Sequence, residues 1–202
     1  MKPTIFILCG SHRVRSQSAR MGRHIAALLE AAGAVPDLFD LGKTPLPLWR
    51  EDFWDSPRSG WEDWDAVAAR LRAADGLVIV CPEYHGMVPA GVKNFFLLAS
   101  ARELADKPAL IVTVSAATGG AYPNAELRMA SAKNNRLCYM PDAVILRDVE
   151  KLFLDSDNPT EADRYLEGRL RHDLELLKLY AEAFRQIRAA GARDLEAYPF
   201  GM

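Results

Sequence analysis

Short, wholly apolar runs alternate along this chain with longer stretches in which apolar residues return every three or four positions. The first kind reads as buried strand and the second as amphipathic helix. Residues 4–9 form the first apolar run. Residues 18–32 follow with Met21, Ile25, Leu28 and Leu29 on one face, and Gly33 marks the stop. A weaker strand is predicted over 35–41, then a loop over 42–60 rich in proline and aromatic residues. Trp61, Trp64, Val67, Ala68 and Leu71 recur at helical spacing, and 76–81 is apolar throughout. The pattern continues as helix 91–101, strand 109–115, helix 124–139, strand 143–146 and a long final helix over 160–190. That last helix carries a stripe of Leu166, Leu170, Leu174, Leu177, Ala181 and Phe184. Continuous apolar strands separated by helices imply an α/β chain: a parallel sheet covered on both faces. Five such units suggest the doubly wound architecture. Periodicity alone does not give the strand order; 2-1-3-4-5 is the candidate for this length, and in it ligands sit at the switch between strands one and three.

Composition narrows the class without changing the fold. The chain has 202 residues, half of them hydrophobic, and a net charge of −2. One domain is expected, with no electrostatic case for nucleic acid or an anionic membrane surface as partner. The N-terminal apolar run is too short for a signal peptide, and no run is long enough to span a bilayer. Three cysteines, Cys9, Cys81 and Cys138, have no metal-ligand spacing, so a reduced, cytoplasmic protein is expected.

Three loops carry the candidate chemistry, after strands one, three and four. In the order 2-1-3-4-5 those strands are neighbours, so the loops line one crevice. The first, from Gly10 through Ser11, His12, Arg13, Arg15, Ser16 and Gln17 to Ser18, leads into a helix. Hydroxyls, backbone N–H groups and a positive helix end suit an anionic phosphate, and equally a loop that only caps its helix through Ser16 or Ser18. No Walker loop and no Gly-x-Gly-x-x-Gly occurs. The second loop opens with Pro82, Glu83, Tyr84, His85 and Gly86. Its prolines and glycines make it stiff and let backbone approach a ligand; Tyr84 either flanks a planar ring or fills space. The third holds Ser115, Thr118, Gly119 and Gly120.

Gly10-Ser11-x-Arg13-x-x-Ser16, Pro82-Glu83-Tyr84-x-Gly86-x-x-Pro89 with Lys93-Asn94, and Gly119-Gly120 with Leu127-Arg128 occur in the order seen in the NADPH-dependent FMN reductases, a flavodoxin-like family. The resemblance spans about residues 4–147. It implies FMN as cofactor and NADPH or NADH as electron donor. The acceptor would be a small molecule: a flavin, quinone, azo dye or metal ion. It also implies a homodimer or homotetramer. Residue by residue, Ser11, Arg13, Ser16, Gln17 and Ser18 would hold the FMN phosphate. Pro82, Glu83, Tyr84, His85 and Gly86 would border the isoalloxazine, largely through backbone, and Ser115, Thr118, Gly119 and Gly120 would line its other edge. His85 stands where the family usually has Asn, Met87 for Ser, Ala90 for Gly, Leu97 for a frequent Asp, and Ala121-Tyr122 for Arg-Ala. These departures surround the ring and not the phosphate. They leave open a flavodoxin-like electron carrier or a regulatory FMN-binding protein.

Other residues read as structural. Cys9 and Cys81 are expected as buried free thiols, and Cys138 as helix packing. His24 and His172 are expected exposed or capping, and His12 beside the phosphate or on an exposed loop. His85 is a candidate proton donor to a reduced quinone. Trp61 and Trp64 belong to the core. Trp49, Phe53 and Trp54 form either a local cluster or, by a slight preference, a surface for a neighbouring subunit.

Overall fold

A computed structural model describes residues 2–201. Strands β1 (Thr4–Cys9), β2 (Val35–Asp40), β3 (Gly76–Pro82), β4 (Pro108–Val114) and β5 (Cys138–Leu146) form one sheet in the order β2-β1-β3-β4-β5, the candidate order for this length. Every pairing is parallel. β3 and β4 are buried along their whole length, which explains why they read as apolar runs, broken only by Thr113 of β4.

Alternation along β1 sorts its side chains to two cores. Phe6 and Leu8 face a cluster with Trp61, Trp64, Leu71, Phe95 and Leu98. These belong to α2 (Glu62–Ala73), the residue before it, and α3 (Ala90–Leu98). Ile5, Ile7 and Cys9 face the other cluster, with Met21, Ile25 and Leu29 of α1 (Gln17–Ala31) and Leu170, Leu174 and Leu177 of the last helix. Trp61 and Trp64 are therefore core, as expected, and the leucine stripe of the last helix lies against the sheet.

Three boundaries depart from the sequence pattern. The helix expected over 91–101 stops at Leu98. Ser100 then caps a separate single turn, α4 (Ala101–Leu104), through a capping box with Glu103. The helix expected over 124–139 is instead α5 (Ala121–Ala130). Asn135 ends that region: its Nδ2 donates to Ser131 O at 2.7 Å and its Oδ1 accepts from Leu137 N at 3.0 Å. Such side-chain bonds compete with helix. β5 accordingly begins at Cys138 and not at 143, with an irregularity opposite Ala109 to Ile111 that accommodates Pro141 on an edge strand. Cys138 is thus a half-buried strand residue and not helix packing. The final helix, α6 (Glu161–Ala189), agrees with expectation and is capped by Thr160 and Asp163.

Candidate functional site

The registers Cys9↔Val80, Pro82↔Val114 and Val114↔Leu146 bring the carboxyl ends of the strands to one edge. The three loops singled out above all leave from it, and side chains tie them together. Ser11 Oγ and the Tyr84 hydroxyl lie 2.8 Å apart, joining loop one to loop two. Gly91 N donates to His12 Nε2 at 2.8 Å, a second tie between the same segments. Glu83 Oε2 accepts from Gly120 N at 2.5 Å and so joins loop two to loop three.

Loop two is shaped by a two-residue turn. Tyr84 N donates to Met87 O and Met87 N to Tyr84 O, at 3.0 and 2.9 Å. His85 and Gly86, between them, have φ of 51° and 74°, the left-handed pair that a type I′ turn requires. His85 is exposed at the turn's tip. Beyond it, Glu126 of α5 accepts from Val88 N at 2.8 Å and pairs with Lys93 at 2.6 Å. Burial pushes the Glu126 carboxyl up, but these bonds win and hold it below the usual range. Asn94 accepts from Trp49 N at 2.8 Å and donates to Pro47 O at 2.9 Å, fastening the proline-rich segment to α3.

The first loop has the donor set for an anion. Ser16 is the N-cap of α1 and its Oγ accepts from Ala19 N. Its own O–H stays available as a donor. The capping role and the phosphate role are thus compatible. The buried Ser18 Oγ has no hydrogen-bond partner among the described residues. Arg13 is exposed, and its backbone N–H donates to Ser11 Oγ at 3.2 Å. An orphaned hydroxyl, a free cation and the unpaired amides of a helix's first turn fit a phosphate monoester. In loop three, Ser115 Oγ accepts from Ala117 N at 3.3 Å. Arg147 donates to the carbonyls of Thr118 and Gly119, at 2.8 and 3.0 Å.

Several of these roles escape a reading of the sequence. Glu126 and Arg147 have no local signal, because their partners lie far along the chain. Lys93 and Asn94 were marked by the resemblance without a role. Among the residues read as structural, Cys9 and Cys81 are buried free thiols as expected. Burial, then the nearby Asp40, pushes Cys9 up to about 12, which leaves it unreactive. His172 is exposed, as expected. His24 is neither exposed nor capping: it is half-buried and its ring stacks on Phe153 at 4.4 Å. The aromatic segment packs on itself, Trp49 against Trp54 and Phe53 against Trp61, each pair at 4.9 Å. Arg58 covers Phe53, so the segment packs as a local cluster, from which Trp54 still stands exposed.

A parallel sheet in 2-1-3-4-5 order, with an anion-ready loop after β1 facing loops from β3 and β4, defines a flavodoxin-like nucleotide-binding protein. The chain belongs to the NADPH-dependent FMN reductase family, whose profile matches residues 3–151. It is 26% identical over 197 residues to a quinone reductase of Escherichia coli, covering 93% of this chain and 98% of that protein. It is 28% identical over 114 residues to an NADPH azoreductase of a Bacillus species, covering 55% of this chain and 58% of that protein. Among solved structures, the flavoenzyme NAD(P)H:(acceptor) oxidoreductase FerB of Paracoccus denitrificans superposes with a TM-score of 0.69 at 21% identity, over 90% of this chain and 98% of that one. As a family member the chain is an NAD(P)H-dependent flavin oxidoreductase with FMN as its cofactor.

Proposed function

We propose that this chain uses FMN to carry reducing equivalents from NAD(P)H to a quinone. The observation that carries the reading is the crevice itself: three loops tied edge to edge, opening beside an anion site whose buried Ser18 hydroxyl lacks a partner. The full-length likeness to a quinone reductase supports the acceptor class. When bound, FMN supplies a ring that accepts a hydride and passes electrons on.

The residues divide the remaining work. Ser11, Arg13, Ser16, Gln17 and Ser18 hold the phosphate. Pro82, Glu83, Tyr84, His85 and Gly86 border the ring on one side, and Ser115, Thr118, Gly119 and Gly120 on the other. The Glu83 carboxylate and the Tyr84 hydroxyl are already engaged with Gly120 and Ser11. Their backbone N–H groups are engaged too, with Val114 O and Met87 O, so the donors these loops keep for the ring are the N–H groups of His85, Gly86, Thr118 and Gly119, which would stabilise negative charge on the reduced flavin. His85, exposed at the turn, supplies a proton to the quinone. The whole chain acts as one domain, in the cytoplasm. Among the described residues no helix is long and apolar enough to cross a membrane. Leu97 and Trp54 are 64% and 73% exposed and supply apolar surface for a homodimer or homotetramer.

The test is an absorbance spectrum of purified protein reconstituted with FMN, followed by anaerobic NADPH and then a quinone. Bleaching of the flavin bands and their return on quinone addition is the expected result. A protein that binds no FMN, or whose bound flavin NADPH and NADH leave oxidised, overturns the proposal.

A further inference from the structure

Helix α5 and loop two are fastened to each other along one line. Gly120 N, at the start of α5, donates to Glu83 at 2.5 Å. Further along the helix, Glu126 accepts from Val88 N at 2.8 Å and pairs with Lys93 at 2.6 Å. Tyr122 and Glu126 are four positions apart and so share a face of α5, the face that meets loop two. A Cβ at Gly86 would lie 3.7 Å from Tyr122 Cδ2, an ordinary van der Waals distance. The Tyr122 ring therefore lies beside the turn that carries His85 at its tip and Met87 at its end. Between such neighbours Tyr122 and Met87 are still 71% and 51% exposed.

Two large apolar side chains thus stand together at one end of the crevice. Tyr122 lies where loops two and three meet, at the exits of β3 and β4, which is the end assigned to the flavin ring. The anion site is at the exit of β1, on the other side of β3. The fold does not need either side chain. Met87 closes the turn through backbone bonds to Tyr84 alone, and α5 is held by Gly120 and Glu126. Tyr84 is half-buried, with its hydroxyl against that of Ser11, so Tyr122 is the aromatic ring that this end of the crevice leaves uncovered.

A phenol ring and a thioether both favour contact with a flat aromatic ring. Carried by segments already fixed to one another, they charge little ordering cost to binding. A compact polar acceptor gains nothing from them. We infer that Tyr122, assisted by Met87, determines acceptor specificity: it packs on the ring of an apolar, fused-ring quinone that enters beside His85, and so selects such quinones over polar acceptors. The inference rests on the quinone-reductase reading and adds to it the kind of quinone and the side chain that recognises it. Met87 and Tyr122 are both among the positions where this chain departs from its family's usual residues, so the selection belongs to this chain and not to the family at large.

The test compares kcat/KM for menadione, a naphthoquinone, with that for ferricyanide in the FMN-loaded wild type, Tyr122→Ala and Tyr122→Phe. The expected result is about a tenfold fall for menadione in Tyr122→Ala, equivalent to ~1.4 kcal/mol, with ferricyanide unmoved. Tyr122→Phe keeps the ring and should keep the wild-type value. Met87→Ser should lower menadione turnover alone, by a smaller factor. A menadione-to-ferricyanide ratio unchanged in Tyr122→Ala overturns the inference while the quinone-reductase reading stands. A fall in Tyr122→Phe as large as in Tyr122→Ala places the effect in the hydroxyl and overturns it too. So does an equal loss with both acceptors accompanied by a smaller mass in light scattering, which assigns Tyr122 to a contact between copies of the chain. If the wild type reduces no quinone, that reading itself fails. Calorimetric titration of the oxidised, FMN-loaded wild type and Tyr122→Ala with menadione then decides the ring contact alone, and equal or absent binding rejects it.

Discussion

Substituting Gly119 by Ala tests whether the tie between loops two and three holds the crevice together. Gly119 has no positive φ, so its backbone accepts a side chain. The obstacle is Glu83. A Cβ at residue 119 would sit 2.5 Å from Glu83 Oε1 and 3.0 Å from Oε2. Real Cβ atoms do not approach that closely, so the carboxylate must leave, and with it goes the bond from Gly120 N. A hydrogen bond to a charged group contributes roughly 1.5–3 kcal/mol, and Glu83 is only half-buried, so the lower end applies. If the freed loops must be reordered before FMN binds, affinity falls by the fraction of molecules that remain competent. Each 1.4 kcal/mol is tenfold, so Gly119→Ala should raise the FMN Kd about tenfold. Glu83→Gln, which weakens the same bond, should do likewise. The decisive measurement is the double variant in a fluorescence-quenching titration. Both changes break one interaction, so their effects should not add. A double variant whose loss equals the sum of the single losses refutes the tie, and so does a Gly119→Ala protein that binds FMN as the wild type does.

The anion site gives a second prediction. Arg13→Ala should weaken FMN about 10- to 150-fold, from a charge-assisted bond of roughly 1.5–3 kcal/mol, and leave riboflavin affinity nearly unchanged. Arg15→Ala should affect FMN little, and the reverse ranking in the same titration rejects the assignment of the phosphate grip to Arg13. A third concerns stability. Lys107 is buried and donates to the carbonyls of Leu71 and Arg72. Burial, then repulsion from Arg188, lowers it from 10.5 to about 8. Between those values the unfolded chain binds the proton that the folded chain has released, so this residue makes stability rise with pH, by at most about 3 kcal/mol. Groups with raised values, such as Cys9, pull the other way above about pH 9 but are common to both proteins. Urea unfolding should therefore show that wild type gains on Lys107→Met as pH rises from about 8 to 10.5, and a constant difference counts against it.

How far the sequence could be read depended on the range of the forces involved. β3 and β4 were legible because complete burial leaves almost nothing but apolar residues, Thr113 excepted. Burial implies a parallel sheet but does not order its strands; chain length only singles out 2-1-3-4-5 as the candidate. α5 and β5 were misjudged because their boundary is set by Asn135, whose two amide bonds reach Ser131 and Leu137, and by an edge strand tolerant of Pro141. Neither depends on apolar period. In the crevice, loop positions were legible and loop ties were not. Ser11 and Tyr84 are 73 positions apart, and Glu83 and Gly120 are 37 apart. Nothing local in either segment announces the other. Ser16 was open between cap and phosphate ligand, and the geometry explains why: one hydroxyl accepts from Ala19 N and keeps its proton to donate.

The same ties change how substitutions in this crevice must be read. Glu83 and Tyr84 stand in the family's most characteristic segment, which invites the view that each touches the flavin with its side chain. Here their polar atoms face other loops. His12 likewise receives Gly91 N and so joins loop one to the start of α3. These contacts fix three backbone segments that would otherwise be independent, each the exit of a different strand. Ordering a loop costs conformational entropy, and a site ordered before its ligand arrives does not charge that cost to binding. The residues at the heart of the motif can therefore govern FMN affinity without meeting FMN. Loss of affinity in Glu83→Ala or Tyr84→Phe is evidence of a missing contact only if the variant's loops keep their order. Amide exchange at Gly120 and Met87 in the FMN-free protein separates the two cases: exchange that quickens in step with the loss of affinity assigns the effect to the scaffold, and unchanged exchange assigns it to the ring.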